Sequence, residues 1–192
     1  MKNWKGFERE IAEIFTQAYY SDEDGEFRRI PQSGGWTIIA SGKKIFPGDL
    51  IPFRFETDGV IVDMRFPFSI ECKTRNKMEQ FVSGLYAKES QFFGWIQQAI
   101  DDAEPFKKIP IVVFKLFRTN NIVMMTINNF YQLREIFGNI DGKYYFLKCY
   151  EKQIETQGLV FLLLKDFIDW IEWSLYKMRI NTVFIKSLSE KK

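Results

Sequence analysis

The chain has 192 residues, with 27 Lys plus Arg against 25 Asp plus Glu, two Cys and no His. Without imidazole, Ser-His-Asp and Cys-His mechanisms, Cys₂His₂ zinc fingers, HExxH peptidase sites and histidine-dependent nucleases are excluded, so catalysis must use carboxylates, lysine, hydroxyls or a hard metal ion. Cys72 and Cys149 make neither a disulfide framework nor a zinc site, a net charge of +2 leaves any nucleic-acid footprint to local clusters, and 46% hydrophobic residues suffice for a folded core in a reducing cytoplasm.

The polar start of the chain lacks the apolar region of a signal peptide, and no run approaches a membrane span, so no membrane partner is expected. Between Trp4 and Tyr20, Phe7, Ile11, Ile14, Phe15 and Ala18 recur at helical spacing with Glu8, Arg9, Glu10 and Glu13 between them, which predicts an amphipathic helix. Phe27 to Pro31 predicts a short strand, followed by the loop Gln32-Ser33-Gly34-Gly35. Three strands are then expected, from Asp49 to Phe55, Gly59 to Met64 and Phe68 to Lys73. Asp58-Gly59 marks a hairpin, and Pro47, Pro52 and Pro67 assign these strands to sheet edges or starts. A helix is predicted from Ala87 to Ala103, and the continuous apolar run Ile111 to Phe117 reads as a strand buried on both faces.

Beyond residue 119 the pattern predicts a strand from Ile122 to Ile127, a helix from Asn128 to Phe137, a turn from Gly138 to Gly142, a strand from Tyr144 to Tyr150 and a helix from Leu164 to Met178. Trp170 and Trp173 lie off the apolar stripe of that last helix. They read either as partner-facing or as part of a wide buried face. Residues 1–118 thus form a mixed α/β core, and 119–192 an elaboration of the same domain with a role in dimerisation.

Strand side chains alternate in direction, so in Glu71-Cys72-Lys73 the Glu and the Lys share one face. Charges on an otherwise apolar strand need a partner or a metal. Phosphodiester hydrolysis supplies that need. A hard cation such as Mg²⁺, for which Mn²⁺ substitutes, takes carboxylate oxygens, water and phosphate. Asp49 and Glu71 are its expected ligands, joined by the backbone carbonyl of Cys72, with Lys73 orienting or deprotonating water or stabilising the transition state.

These residues resemble the PD-(D/E)xK nuclease superfamily, with Pro47-Gly48-Asp49 and Glu71-Cys72-Lys73 matching its signature apart from one residue interposed between Pro and Asp. The resemblance narrows to Holliday-junction resolvases of archaeal and phage type, on Lys5-Gly6-Phe7-Glu8-Arg9-Glu10, Ser33 in its glycine-rich loop, Trp95-Ile96-Gln97-Gln98 and Phe114-Lys115. It implies a restriction-endonuclease-like α/β fold, a mixed sheet flanked by helices with an α+β C-terminal extension, and Glu8 as a helix-borne metal carboxylate. It also implies a homodimer acting on branched DNA in the cytoplasm, that of the host if the chain is phage-encoded.

Two rivalries stay open. Glu8 and Glu10 lie about 200° apart on a helix, so one of them faces the site. Asp63 competes with Asp49 for the metal, although its strand position favours a solvent-facing role. Ser33, Arg75, Lys77, Gln98 and Lys115 are candidate DNA contacts. Arg28-Arg29, Lys43-Lys44 and Lys107-Lys108 read as ordinary surface. Nucleases of linear or single-stranded DNA, and a catalytically silent DNA-binding protein of the same fold, are the alternatives.

Overall fold

A computed structural model describes residues 4–21, 23–30, 46–75, 91–116, 119–148, 158–171 and 173. Helix α1 (Trp4–Tyr19) opens the chain and buries Phe7, Glu8, Ile11, Ala12, Phe15 and Tyr19 along one stripe. Strands β1 (Gly25–Arg29), β2 (Leu50–Glu56) and β3 (Gly59–Val62) form an antiparallel sheet in the order β1-β2-β3. Thr57 and Asp58 make the hairpin turn, since Glu56 pairs with Gly59.

The larger sheet holds β4 (Phe68–Arg75), β5 (Ile109–Leu116), β6 (Asn121–Thr126), β7 (Tyr144–Lys148) and β8 (Gly158–Leu163), in the order β4-β5-β6-β8-β7. Only β4 and β5 run parallel, with helix α2 (Gln91–Ala103) lying between them in sequence. The remaining pairs are antiparallel. Helix α3 (Ile127–Phe137) follows β6 directly, its start capped by Thr126, whose hydroxyl accepts from the Asn129 N–H. Helix α4 (Leu164–Trp170) follows β8. This is the restriction-endonuclease-like α/β arrangement that the sequence predicts, and the strands past residue 119 continue the sheet begun by β4 and β5. Among the described residues no helix is long and apolar enough to cross a membrane.

Strand alternation divides the core in two. Phe68, Ile70 and Cys72 of β4 join Ile111, Val113, Val123, Met125, Val160 and Leu162 against α1, α3 and α4. On the opposite face Val112, Phe114, Met124, Leu159 and Phe161 pack against Phe92, Trp95, Ile96 and Ala99 of α2. Ile111 to Phe114 are all fully buried, as expected of a strand covered on both faces.

Four expectations are corrected. First, β2 is the central strand of its sheet despite Pro52. The Pro52 carbonyl accepts from the Asp63 N–H, so the missing donor points toward β3 beyond the last ladder pair at Val62, and no ladder bond is lost. Second, Asp63 is not solvent-facing: it is 2% exposed, ion-paired to Arg65 at 2.7 Å, and accepts from the Tyr20 hydroxyl at 3.2 Å. Third, Trp170 and Trp173 are buried. The Trp170 indole donates to the Gly138 carbonyl, and Trp173 packs among Phe15, Tyr19, Phe66 and Phe68, so neither presents a surface to a partner. Fourth, β8 was not anticipated. Its uniformly apolar Leu159 to Leu163 runs straight into the apolar stripe of α4, and period alone does not separate two buried segments joined without a polar turn. Residues 87–90, 149–150 and 174–178 of the predicted elements lie outside the described residues.

Candidate active site

The site is built around the outer edge of β4, where the two sheets meet. Gly48 pairs with Ile70 in a parallel bridge, and the Asp49 N–H donates to the Ile70 carbonyl at 2.7 Å. Gly48 has φ +82°, and a Cβ there would lie 2.5 Å from the Ile70 oxygen and 2.8 Å from its nitrogen. Glycine is therefore required for β2 to start against β4.

Asp49 is held at its N–H, its carbonyl and one carboxylate oxygen. Its carbonyl accepts from Ile30 N–H at 2.9 Å, and its Oδ2 accepts from Cys72 N–H at 2.8 Å. A strand residue points its N–H and C=O the same way, so the Cys72 carbonyl leaves the same edge of β4 on which the Asp49 carboxylate sits.

Glu71 and Lys73 emerge on the α2 face of β4, as alternation requires. Lys73 Nζ lies 2.5 Å from Glu71 Oε1. Gln98 of α2 joins them: its amide nitrogen donates to Glu71 Oε1 at 2.7 Å and its amide oxygen accepts from Lys73 Nζ at 3.1 Å. Glu8 approaches from the α1 side. Its Oε2 receives Arg29 Nε at 2.5 Å, and the Arg29 guanidinium stacks over the Trp4 ring at 5.3 Å.

Glu8, Asp49 and Glu71 are 3%, 4% and 3% exposed, so three carboxylates share a dry region. Burial, then the neighbouring Asp49 charge, pushes Glu71 up to about 7, against the pull of Lys73. Burial also raises Glu8, less the bond and charge of Arg29, and Glu8 senses both Glu71 and Lys73. Burial, then the charges of Asp49, Glu8 and Glu71, push the Cys72 thiol well above its ordinary range and leave it inert.

Of the rival acids, Glu10 turns away and ties α1 to the large sheet through Lys115 at 2.9 Å and Asn121 at 3.0 Å. Lys115 is thereby engaged by a carboxylate. Asp63 sits in its own network with Tyr20, Arg65 and Glu23, where burial raises it but the Arg65 hydrogen bonds prevail and hold it below the usual carboxylate range. Arg75 ends β4. Ser33 and Lys77 lie outside the described residues. Arg29, read from sequence as ordinary surface, is the site residue that pattern reasoning missed. The signal for Arg29 was its place two residues after buried Phe27, which puts both on one face of β1.

Among the described residues no group of three or more His, Cys, Asp or Glu is assembled to hold a metal. Asp49 and Glu71 do fit a hard cation that takes one or two carboxylates and completes its shell with water and phosphate, as Mg²⁺ does. Their oxygen-only donors, and two buried acids of which one is raised by the other's charge, are what such an ion relieves.

A protein-family model described as "Phage putative PDDEXK endonuclease" matches residues 4–176. No curated protein and no solved structure matches the chain.

Proposed function

The chain belongs to this phage PDDEXK endonuclease family, and from that premise we propose that it is a Mg²⁺-dependent DNA endonuclease whose preferred substrate is a four-way or otherwise branched DNA junction. Nucleases of the superfamily use divalent metal ions and act on DNA. The observation that carries the reading is the Asp49 carboxylate fastened to the Cys72 N–H, directly beside the Glu71–Lys73–Gln98 cluster. Four chemically competent groups at one strand edge are more than a fold needs for stability, since buried carboxylates oppose folding unless compensated.

In this reading Asp49, Glu71 and the Cys72 carbonyl would hold the cation, with Glu8 as a further carboxylate. Mn²⁺ substitutes for Mg²⁺. The bound ion supplies Lewis acidity and neutralises charge at the scissile phosphate. Glu71 anchors Lys73 before substrate arrives. The Lys73 ammonium would stabilise the negative charge that builds on the phosphate and orient the attacking water, and Gln98, bonded to both Glu71 and Lys73, would keep it aimed. Ser33, Arg75 and Lys77 are assigned as DNA contacts from the sequence, and Lys115 reaches phosphate only by leaving Glu10.

A symmetric junction takes two cuts related by a two-fold axis, so the working form is a homodimer. Residues 1–118 are the nuclease core and 119–192 its elaboration. The enzyme works in the cytoplasm, that of the host for a phage-encoded chain. The test is cleavage of labelled four-way junction, flap, duplex and single-stranded DNA with Mg²⁺. Junction cutting lost in Asp49→Ala, Glu71→Ala and Lys73→Ala is the expected result, and full activity in any of them overturns the mechanism. Equal cutting of linear duplex overturns the substrate assignment alone.

A further inference from the structure

Arg29 is a largely buried cation beside the site to which the proposed mechanism gives no task. Its side chain is 15% exposed, its Nε donates to Glu8 Oε2 at 2.5 Å, and its guanidinium lies over the Trp4 ring at 5.3 Å. Trp4 stands one turn before Glu8 on α1 and is 44% exposed, so its ring screens the guanidinium from water. Held between a carboxylate and an indole, a guanidinium is fixed in place, and it cannot lose its proton. Its neighbour Arg28 points outward and pairs with Glu26 at the surface.

The joint between α1 and β1 does not depend on this ion pair. Phe15 packs on Phe27 there, and the Thr16 hydroxyl accepts from the Phe27 N–H at 2.8 Å. A buried ion pair adds little to stability over apolar side chains of similar volume. What distinguishes this one is its place, since Glu8 senses the charges of both Glu71 and Lys73.

We propose that Arg29 supplies, at Glu8, the charge that a second divalent ion would otherwise bring, so that the site takes one ion per chain and Arg29 is a positioning residue for Glu8. This rests on the metal-dependent nuclease reading and adds to it the number of ions and the task of Glu8. The charge balance favours one ion. Glu8, Asp49 and Glu71 are all buried, and they bring three negative charges when an ion is bound. Lys73 on Glu71 and Arg29 on Glu8 return two positive charges. One Mg²⁺ then leaves the cluster one charge positive, which the single negative charge of a phosphodiester balances. A second divalent ion would leave it three charges positive in a region with little water, where uncompensated charge costs most. Asp102 of α2 is partly exposed, so water screens its charge, and it acts on Glu71 more weakly than Asp49 or Lys73.

The fastening of the three acids agrees. Asp49 is tied to the Cys72 N–H, Glu71 to Lys73 and Gln98, and Glu8 to Arg29. Among the described residues no three acids are assembled to hold a metal, as expected if Glu8 is reserved for the guanidinium. Asp49 and Glu71 suffice for a hard ion that takes one or two carboxylates.

The test counts ions on the full chain without DNA. Mn²⁺ is titrated in, with the bound fraction followed by calorimetry and by electron paramagnetic resonance. Wild type and Arg29→Lys, which keeps a cation at Glu8, should each take one ion and show none of the spin coupling of a paired centre. Arg29→Met, which uncovers Glu8, should take two. Arg29→Met combined with Glu8→Gln removes both charges and should return to one ion, with a Kd within about threefold of wild type, because the local net charge is unchanged. If Arg29→Met does not fold, this double variant decides, since it leaves no unpaired buried charge. Two ions in the wild type, one ion in a folded Arg29→Met, or a Kd raised about tenfold or more in the double variant, as loss of a ligand would cause, overturns the inference. Failure of the nuclease reading shows separately, as absent cleavage of every DNA by a chain that still binds one Mn²⁺.

Discussion

Replacing Gly48 by Ala tests whether the start of β2 sets the chemistry. The residue sits at φ +82°, where an L side chain costs about 1–2 kcal/mol. Its added Cβ also meets backbone, at 2.5 Å from the Ile70 oxygen, so the strand must move outward. That displacement breaks the 2.7 Å bond from Asp49 N–H to Ile70 and strains the 2.8 Å bond from Cys72 N–H to the Asp49 carboxylate, each worth about 1 kcal/mol. The expected loss is roughly 3–4 kcal/mol, a fall in Tm on the order of 10 °C for a chain of this size. Because Asp49 itself shifts, cleavage should drop about 100-fold, the cost of misplacing a catalytic group by about an ångström. Calorimetric unfolding and single-turnover cleavage of a junction below the lowered Tm read the two effects separately. Gly59→Ala is the control: it has φ +142° but open space around the new Cβ, so it should lose a little stability and no activity. Wild-type melting and rate in Gly48→Ala would refute the placement of Asp49 by this contact.

Glu71, raised to about 7, stabilises the fold fully below its ordinary value of 4.5 and loses that contribution as pH climbs through 7. The metal-free protein should accordingly melt at falling temperature from about pH 5 to about pH 8, with the slope reduced in Glu71→Gln and offset in the wild type by added Mg²⁺. Parallel slopes in the two proteins would contradict this. Asp63→Asn should cost roughly 2–3 kcal/mol near neutrality through the lost charged bonds to Arg65, and progressively less in strong acid, because a lowered carboxyl contributes above its ordinary value and fades below it. Its cleavage rate at permissive temperature should match wild type, and a large rate defect would restore Asp63 as a metal ligand. Trp173→Ala should cost about 3–5 kcal/mol by emptying an aromatic cluster while leaving the association constant unchanged, which sedimentation checks.

Alternation made the Glu71–Lys73 face legible before any coordinates, and helical period placed Glu8 and Glu10 on different sides of α1. Which of the two faced the site depended on the neighbours: Arg29 and Trp4 at one, Lys115 and Asn121 at the other. These contacts span from 21 to 111 residues of sequence, beyond any local pattern. Asp63 was misread for a related reason. In isolation it ends an exposed strand, yet Tyr20, 43 residues earlier, and Arg65 enclose it. The tryptophans were ambiguous because a helical stripe defines one face, whereas Trp170 and Trp173 are covered by residues of α1, β4 and the Gly138 turn.

The way β2 springs from β4 separates what must be conserved in shape from what is free to vary. Asp49 is pinned by three bonds just before β2 begins, whereas β2 and β3 run on to the Thr57–Asp58 turn at the far end of the hairpin. Lengthening or trimming such a hairpin changes loop-closure entropy only slowly. Relatives of this chain can therefore lengthen, trim or reshape the hairpin as an interchangeable module without disturbing the β4 edge that positions Asp49.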